Sequence, residues 1–157
     1  MFIIGINAFH PDSSACIIKD GVLIASAEEE RFLRIKHWSG FPSEAIKWCL
    51  KEAGIELKDV QHIALNQNPR ANFLKKIFYT IKNPPKLEKL LPRFKNILKR
   101  MNLKDLIQKE FPESRFSGKI HSIEHHLTHL SSAFHVSPFN ESVIVSVDGF
   151  GDFASTA

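Results

Sequence analysis

Sulfur is scarce in this sequence. Its two cysteines, Cys16 and Cys49, stand in unrelated contexts with no CxxC spacing, which argues against a disulfide framework or a zinc knuckle. No apolar run approaches the roughly 18–20 residues that a membrane-spanning helix requires, so no membrane partner is expected. Met1 to Ala8 is too short for a secretory signal and lacks its basic start, which makes the cytoplasm the default location. No repeat recurs at the roughly 20–50-residue periods of solenoids. What is present is 157 residues, 43% hydrophobic and 24% charged, enough for about one domain with a sizeable core.

Charge is unevenly distributed. Between Ala71 and Lys109 there are eleven lysines or arginines against only Glu88 and Asp105, a local excess of nine that leaves the rest of the chain at −5. A slightly acidic domain is thus interrupted, over about residues 67–117, by a basic insertion. Phe73, Leu74, Ile77, Phe78 and Ile81 recur in it at helical spacing, which predicts an amphipathic helix packed on its apolar side and solvated by lysines on the other. The same cations would serve nucleic-acid or acidic-membrane binding, but no recognition motif accompanies them, and nucleic acid is not the expected partner.

The remaining sequence alternates strand and helix signals. Phe2 to Phe9, Ala15 to Lys19 and Val22 to Ala27 read as a three-strand meander, the last two joined at Asp20-Gly21, a dipeptide suited to a tight hairpin turn. Ser43 is the expected cap of a helix with apolar positions Ala45, Ile46, Cys49, Leu50 and Ala53, stopped by Gly54. Val60 to Leu65 and Lys119 to Ser122 are further strands. Between them Asn83-Pro84-Pro85 and Pro92 should divide the basic segment into two or three short helices. A helix over His125 to His135 then precedes a strand from Ser142 to Val147, the turn Asp148-Gly149-Phe150-Gly151, and a strand beginning at Phe153 that finds no later partner. The expectation is one α/β lobe with a helical basic insertion, incomplete at its C-terminus.

Chemistry-bearing residues fall in three places. His125 and His129 are four apart, so a helix stacks their imidazoles on one face at a separation that suits one metal ion, although helical histidines are more often solvated or hydrogen-bonded. Asp148, at the end of an apolar strand, can add a carboxylate, and two imidazoles with a carboxylate suit iron or zinc. Gly149 and Gly151 would let backbone amides approach a phosphate, or they form only a hairpin turn. Near the start, His10 can act as a general base, while Asp12, Ser13 and Ser14 could hold a phosphate or make an Asx or Ser turn. Arg31, Arg34, Lys36 and His37 either solvate a surface or offer cations to a phosphate or carbamoyl donor.

Two stretches together are more specific than any of these motifs alone. GINAFHPDSSACIIKDGVLIASAEEERFLRIKHWSGFPSEAIKWCL and HHLTHLSSAFHVSPFNESVIVSVDGFGD resemble signatures of the O-carbamoyltransferases that modify nodulation factors and antibiotics. That resemblance covers about residues 2–65 and 119–153. It implies a ribonuclease H-like lobe of the actin and sugar-kinase superfamily. It also implies a reaction in which ATP and carbamoyl phosphate give carbamoyl-adenylate in a YrdC-like domain, absent from this chain, and the carbamoyl group then passes to an acceptor hydroxyl. By resemblance His125, His129 and Asp148 would hold iron or another divalent transition metal. His10 would be the catalytic base, with Asp12, Ser13, Ser14, Lys36, His37, Gly149 and Gly151 around the nucleotide and donor. Pro11 departs from the pattern by separating His10 from Asp12, which many relatives join directly. The chain by itself would be inactive. The rivals are a threonylcarbamoyl-transferring tRNA-modification relative, disfavoured by the EEERF and KH signatures, and a noncatalytic nucleic-acid-binding protein.

Overall fold

The structure, a computed structural model, describes residues 1–83, 103–152 and 154–157. Pro84, Pro85 and Pro92, on which the division of the basic segment was expected to turn, lie outside the described residues, as does Phe153. The chain divides into two units, Met1–Leu65 with Leu98–His121 and Asn66–Ile97 with Ser122–Ala157, so the basic stretch is shared between them.

The first unit is built on a five-stranded mixed sheet with the order β3-β2-β1-β4-β5. Strand β1 (Phe2–Asn7) pairs antiparallel with β2 (Ser14–Lys19), and β2 antiparallel with β3 (Val22–Glu28). At the β2–β3 turn Asp20 and Gly21 have φ of 49° and 87°, the two positive values that a type I′ hairpin requires. On the other side β1 pairs parallel with β4 (His62–Leu65), and β5 (Lys119–Ser122) forms the edge beyond it. A meander followed by parallel addition at β1 is the strand order expected of a ribonuclease H-like lobe.

Alternation fixes which face is buried. Ile4, Ile6, Ile17, Ile63 and Leu65 are all at most 3% exposed and meet Ala45, Ile46, Cys49 and Leu50 of α2 (Ser43–Ala53) in one core. Leu103 and Ile107 of α4 (Leu103–Glu110) and Leu57 of a 3₁₀ turn (Leu57–Asp59) complete it. Truncating any of these large side chains to alanine would typically cost about 2–5 kcal/mol. Burial also holds the thiol of Cys49 protonated, its pKa pushed up to about 11, so this cysteine behaves as a core residue, whereas Cys16 is half-buried and lies outside that core.

One expectation is corrected by the structure. Ser43 does not cap α2: it is the first helical residue, and its hydroxyl donates to Glu110 Oε2 at 2.8 Å. The capping group is Glu29, 2% exposed, whose two carboxylate oxygens accept the backbone N–H of Glu44 (3.1 Å) and of Ala45 (2.7 Å). Only one turn of helix forms, α1 (Glu30–Leu33), after Glu29 has turned inward.

The second unit contains α3 (Phe73–Lys82), α5 (His125–Phe134) and a hairpin of β6 (Val147–Gly151) with β7 (Ala154–Thr156). Helix α3 forms as its spacing predicts, but its apolar side is not packed among the described residues: Phe73, Leu74, Phe78 and Ile81 are 60–73% exposed. The strand expected over Ser142 to Val147 starts instead at Val147, and the Asp148–Gly151 segment is strand rather than turn. A ladder needs a neighbour, and the ladder ends where Ser146 exchanges both backbone hydrogen bonds with Ala157. Val143 and Val145, 95% and 72% exposed, have no paired strand among the described residues. No helix among the described residues is long and apolar enough to cross a membrane.

Candidate functional site

In the first unit the loop after β1 is tied to the segment after α1. Phe9 N–H donates to the Gly40 carbonyl (3.1 Å) and Ser13 N–H to that of Trp38 (3.0 Å). The Ser13 side chain, 1% exposed, lies within reach of the carbonyls of His10 (3.1 Å) and Gly40 (2.8 Å). Its hydroxyl therefore holds the loop rather than facing a phosphate. Ser14 belongs to β2, paired with Asn7 and Glu28, and lines a surface depression with Ser26, Ala27, Glu28 and Arg31. His10 and Lys36 are both exposed, and His10 Nδ1 sits 3.3 Å from the Pro11 carbonyl. Arg31 is 71% exposed and reaches Glu28 at 3.6 Å.

Asp12 and His37, distant in sequence, meet here: His37 Nδ1 lies 2.9 Å from Asp12 Oδ1. Both residues, with Phe9 and Arg34, hold φ between 54° and 63° without being glycine. Each left-handed residue costs on the order of 1–2 kcal/mol, and strain of this kind collects at ligand-holding loops. The carboxylate holds the His37 imidazolium by hydrogen bond and charge, raising its pKa above the ordinary value of 6.5. A folded-state pKa raised in this way adds stability that is complete below about 6.5 and is lost as pH rises through the folded value. Proton NMR of the imidazole should show His37 titrating above free histidine, and Asp12→Asn should bring it back. An unshifted His37 would show the pair to be broken in solution.

The second unit holds the histidine pair. Helix α5 begins at His125, so its first turn carries amide groups without helical partners. Glu124 accepts the Leu127 N–H at 2.8 Å, and Asp152 Oδ2 accepts that of His125 at 2.9 Å and that of Asn68 at 2.8 Å. These two carboxylates fix the start of the helix. One turn further, His129 comes onto the same face, and its Nε2 is 3.2 Å from that of His125. Strand β6 brings Asp148 to them, with Oδ2 at 2.6 Å from His125 Nε2 and 3.4 Å from His129 Nε2. His126 takes no part: fully buried, it bonds through Nδ1 to the Ser146 hydroxyl at 2.9 Å.

A triangle of two imidazole nitrogens and a carboxylate oxygen with edges of 2.6–3.4 Å is the size that three ligands bound about 2.0–2.2 Å from one ion would form. The three groups offer atoms that all lie within 4.8 Å of one another. Both histidines and the Gly149 N–H hold the Asp148 carboxyl ionised, with its pKa lowered to about 2. A carboxylate and two imidazoles with no lysine or arginine among their described partners form a donor set for a divalent transition metal. His125 is 8% exposed by side chain and His129 51%, so the triangle is anchored on one side and open to solvent on the other.

The two glycines differ. Gly149 has open space where a side chain would be, whereas a Cβ on Gly151 would overlap the imidazole of His125. Gly151 is therefore required for the close approach of β6 to His125. Asp152, Glu124 and Ser146 were not singled out from sequence. A local signal existed only for Glu124, which directly precedes the helix.

Residues 2–157 match the family described as carbamoyltransferase N-terminus, a match that includes the basic stretch. An uncharacterized protein of Synechocystis sp. is 36% identical over 99% of this chain and 26% of its own length. The nodulation protein NolNO of Sinorhizobium fredii is 35% identical over 95% of this chain and 21% of its own length. Among solved structures, YeaZ from Pseudomonas aeruginosa aligns with a TM-score of 0.43 and 12% identity, over 86% of this chain and 49% of that one. The chain thus spans about a quarter of the length of these two curated relatives. With the paired signatures and the mixed five-stranded sheet, the match along its whole length makes this chain a member of the carbamoyltransferase N-terminal family.

Proposed function

We propose that the chain serves the acceptor side of an O-carbamoyltransferase, working in the cytoplasm, in which a carbamoyl group made from ATP and carbamoyl phosphate passes from carbamoyl-adenylate to the hydroxyl of a small-molecule acceptor. The observation that carries the reading is the His125–His129–Asp148 triangle in a member of this family. These three residues would hold iron or another divalent transition metal, which when bound supplies positive charge to the adenylate phosphate. Helix α5 holds the two imidazoles one turn apart, Asp152 and Glu124 fix its start, and Gly151 gives β6 the clearance that sets Asp148 beside them.

The acceptor hydroxyl must lose a proton as it attacks the carbamoyl carbon. His10 is the base assigned to it, on an exposed loop whose backbone is held by Ser13, and Lys36 and His37 supply cations to the donor. The test supplies ATP, carbamoyl phosphate and a hydroxyl acceptor to a longer protein that carries this chain at its N-terminus together with a YrdC-like domain, and separately to the chain alone. Acceptor carbamoylation should occur only with the longer protein and fall at least a hundredfold in its His125→Ala/His129→Ala variant. Undiminished transfer by that variant would refute the role of the triangle, and transfer by the chain alone would refute its dependence on the rest of the protein.

A further inference from the structure

A second pair of histidines lies in the first unit, outside everything assigned so far. His62 on β4 and His121 on β5 occupy neighbouring strands, and His62 Nδ1 is 3.0 Å from His121 Nε2. Along β4, Ile63 and Leu65 turn into the core at 1% and 2% exposure, so His62 projects from the opposite face, where His121 is exposed. Among the described residues neither ring bonds to a carboxylate, and the rings are tilted 52° with centroids 5.1 Å apart. The strands are drawn together by Gly118, where a Cβ would overlap the Gln61 carbonyl that accepts the Lys119 N–H at 2.9 Å.

We infer that His62 and His121 form a two-imidazole site for a late first-row divalent cation, Cu(II) above all, separate from the His125–His129–Asp148 triangle. Two nitrogens 3.0 Å apart, each about 2.0–2.1 Å from one ion, subtend about 91–97° at the metal. That is close to the right angle between adjacent ligands of a square-planar or tetragonal ion and is tighter than a tetrahedral one. Cu(II) and Ni(II) take this geometry, and Cu(II) heads the affinity order for nitrogen ligands. Both rings sit on strands of one sheet, so little chain entropy is lost on chelation, and the exposed face leaves the other positions to water. The bound ion would also staple edge strand β5 to β4.

The probe is Cu(II) alone, titrated in a glycine buffer that masks weak single-ligand sites, into the His125→Ala/His129→Ala chain. One equivalent should bind, with nitrogen splitting in the electron paramagnetic resonance spectrum from two imidazoles. His62→Ala and His121→Ala, each added separately, should weaken binding at least tenfold. The thermal midpoint should rise with Cu(II) in the parent and not in either added variant, a readout that also reports whether each variant folds. Absence of the equivalent, or its persistence after either histidine is removed, would overturn the site.

Discussion

Glu29→Ala should destabilise the first unit by about 2–3 kcal/mol, far more than a change at an exposed glutamate such as Glu52, expected to stay within about 0.5 kcal/mol. The carboxylate is 2% exposed and its two oxygens take the N–H groups of Glu44 and Ala45. Pro42, which precedes the helix, has no side-chain oxygen, and the Ser43 hydroxyl is turned to Glu110. Removing Glu29 leaves two amides at the start of α2 without acceptors, beside Ala45 and Ile46 in the core, and opens a cavity as well. Glu29→Gln keeps one acceptor but sets an N–H₂ group against an amide N–H, so its cost should fall between the two. Urea unfolding followed by circular dichroism measures all three, and equal midpoints for Glu29→Ala and Glu52→Ala would remove Glu29 from this role.

That cap shows where sequence reasoning stops. The rule that places serine, threonine or aspartate at a helix start is local, and it pointed to Ser43, whereas the capping oxygen arrives from the end of β3, fourteen residues earlier. The meander was legible because Asp20-Gly21 and the alternation of Ile4, Ile6, Ile17 and Ala25 act within one hairpin or one strand. Helix α3 was legible for the same reason, but which surface its apolar side meets is a tertiary question, and among the described residues that side faces outward. The strand over Ser142 to Val147 failed on the same distinction: β-branched residues supply propensity, but only a paired neighbour makes a ladder. For the site, the i, i+4 spacing put His125 and His129 on one face without reference to the rest of the fold. The sequence could not tell that His126, between them, is a buried partner of Ser146, nor that Asp152 holds the helix start.

Gly151→Ala should weaken metal binding at the triangle at least tenfold, while Gly149→Ala two residues away leaves it near the parent value. A methyl group at 151 would overlap the Cδ2, Cγ and Nε2 atoms of His125, and one at 149 would meet nothing within 4 Å. The imidazole cannot swing aside cheaply, because its side chain is only 8% exposed and its backbone N–H is held by Asp152. Either the ring rotates and breaks its 2.6 Å approach to Asp148, or β6 moves and carries Asp148 with it. Both outcomes separate ligands that one ion must hold within about 2.0–2.2 Å of itself. Co(II) titration reads the effect, performed in the His121→Ala background so that the pair at the sheet edge contributes nothing. If glycine 151 serves only to admit a phosphate, as its sequence context suggested, Co(II) affinity will be unchanged by the methyl group and only nucleotide binding will fall. A tenfold loss without any nucleotide present separates the two roles, and equal affinities for the two alanine variants would reject the steric one.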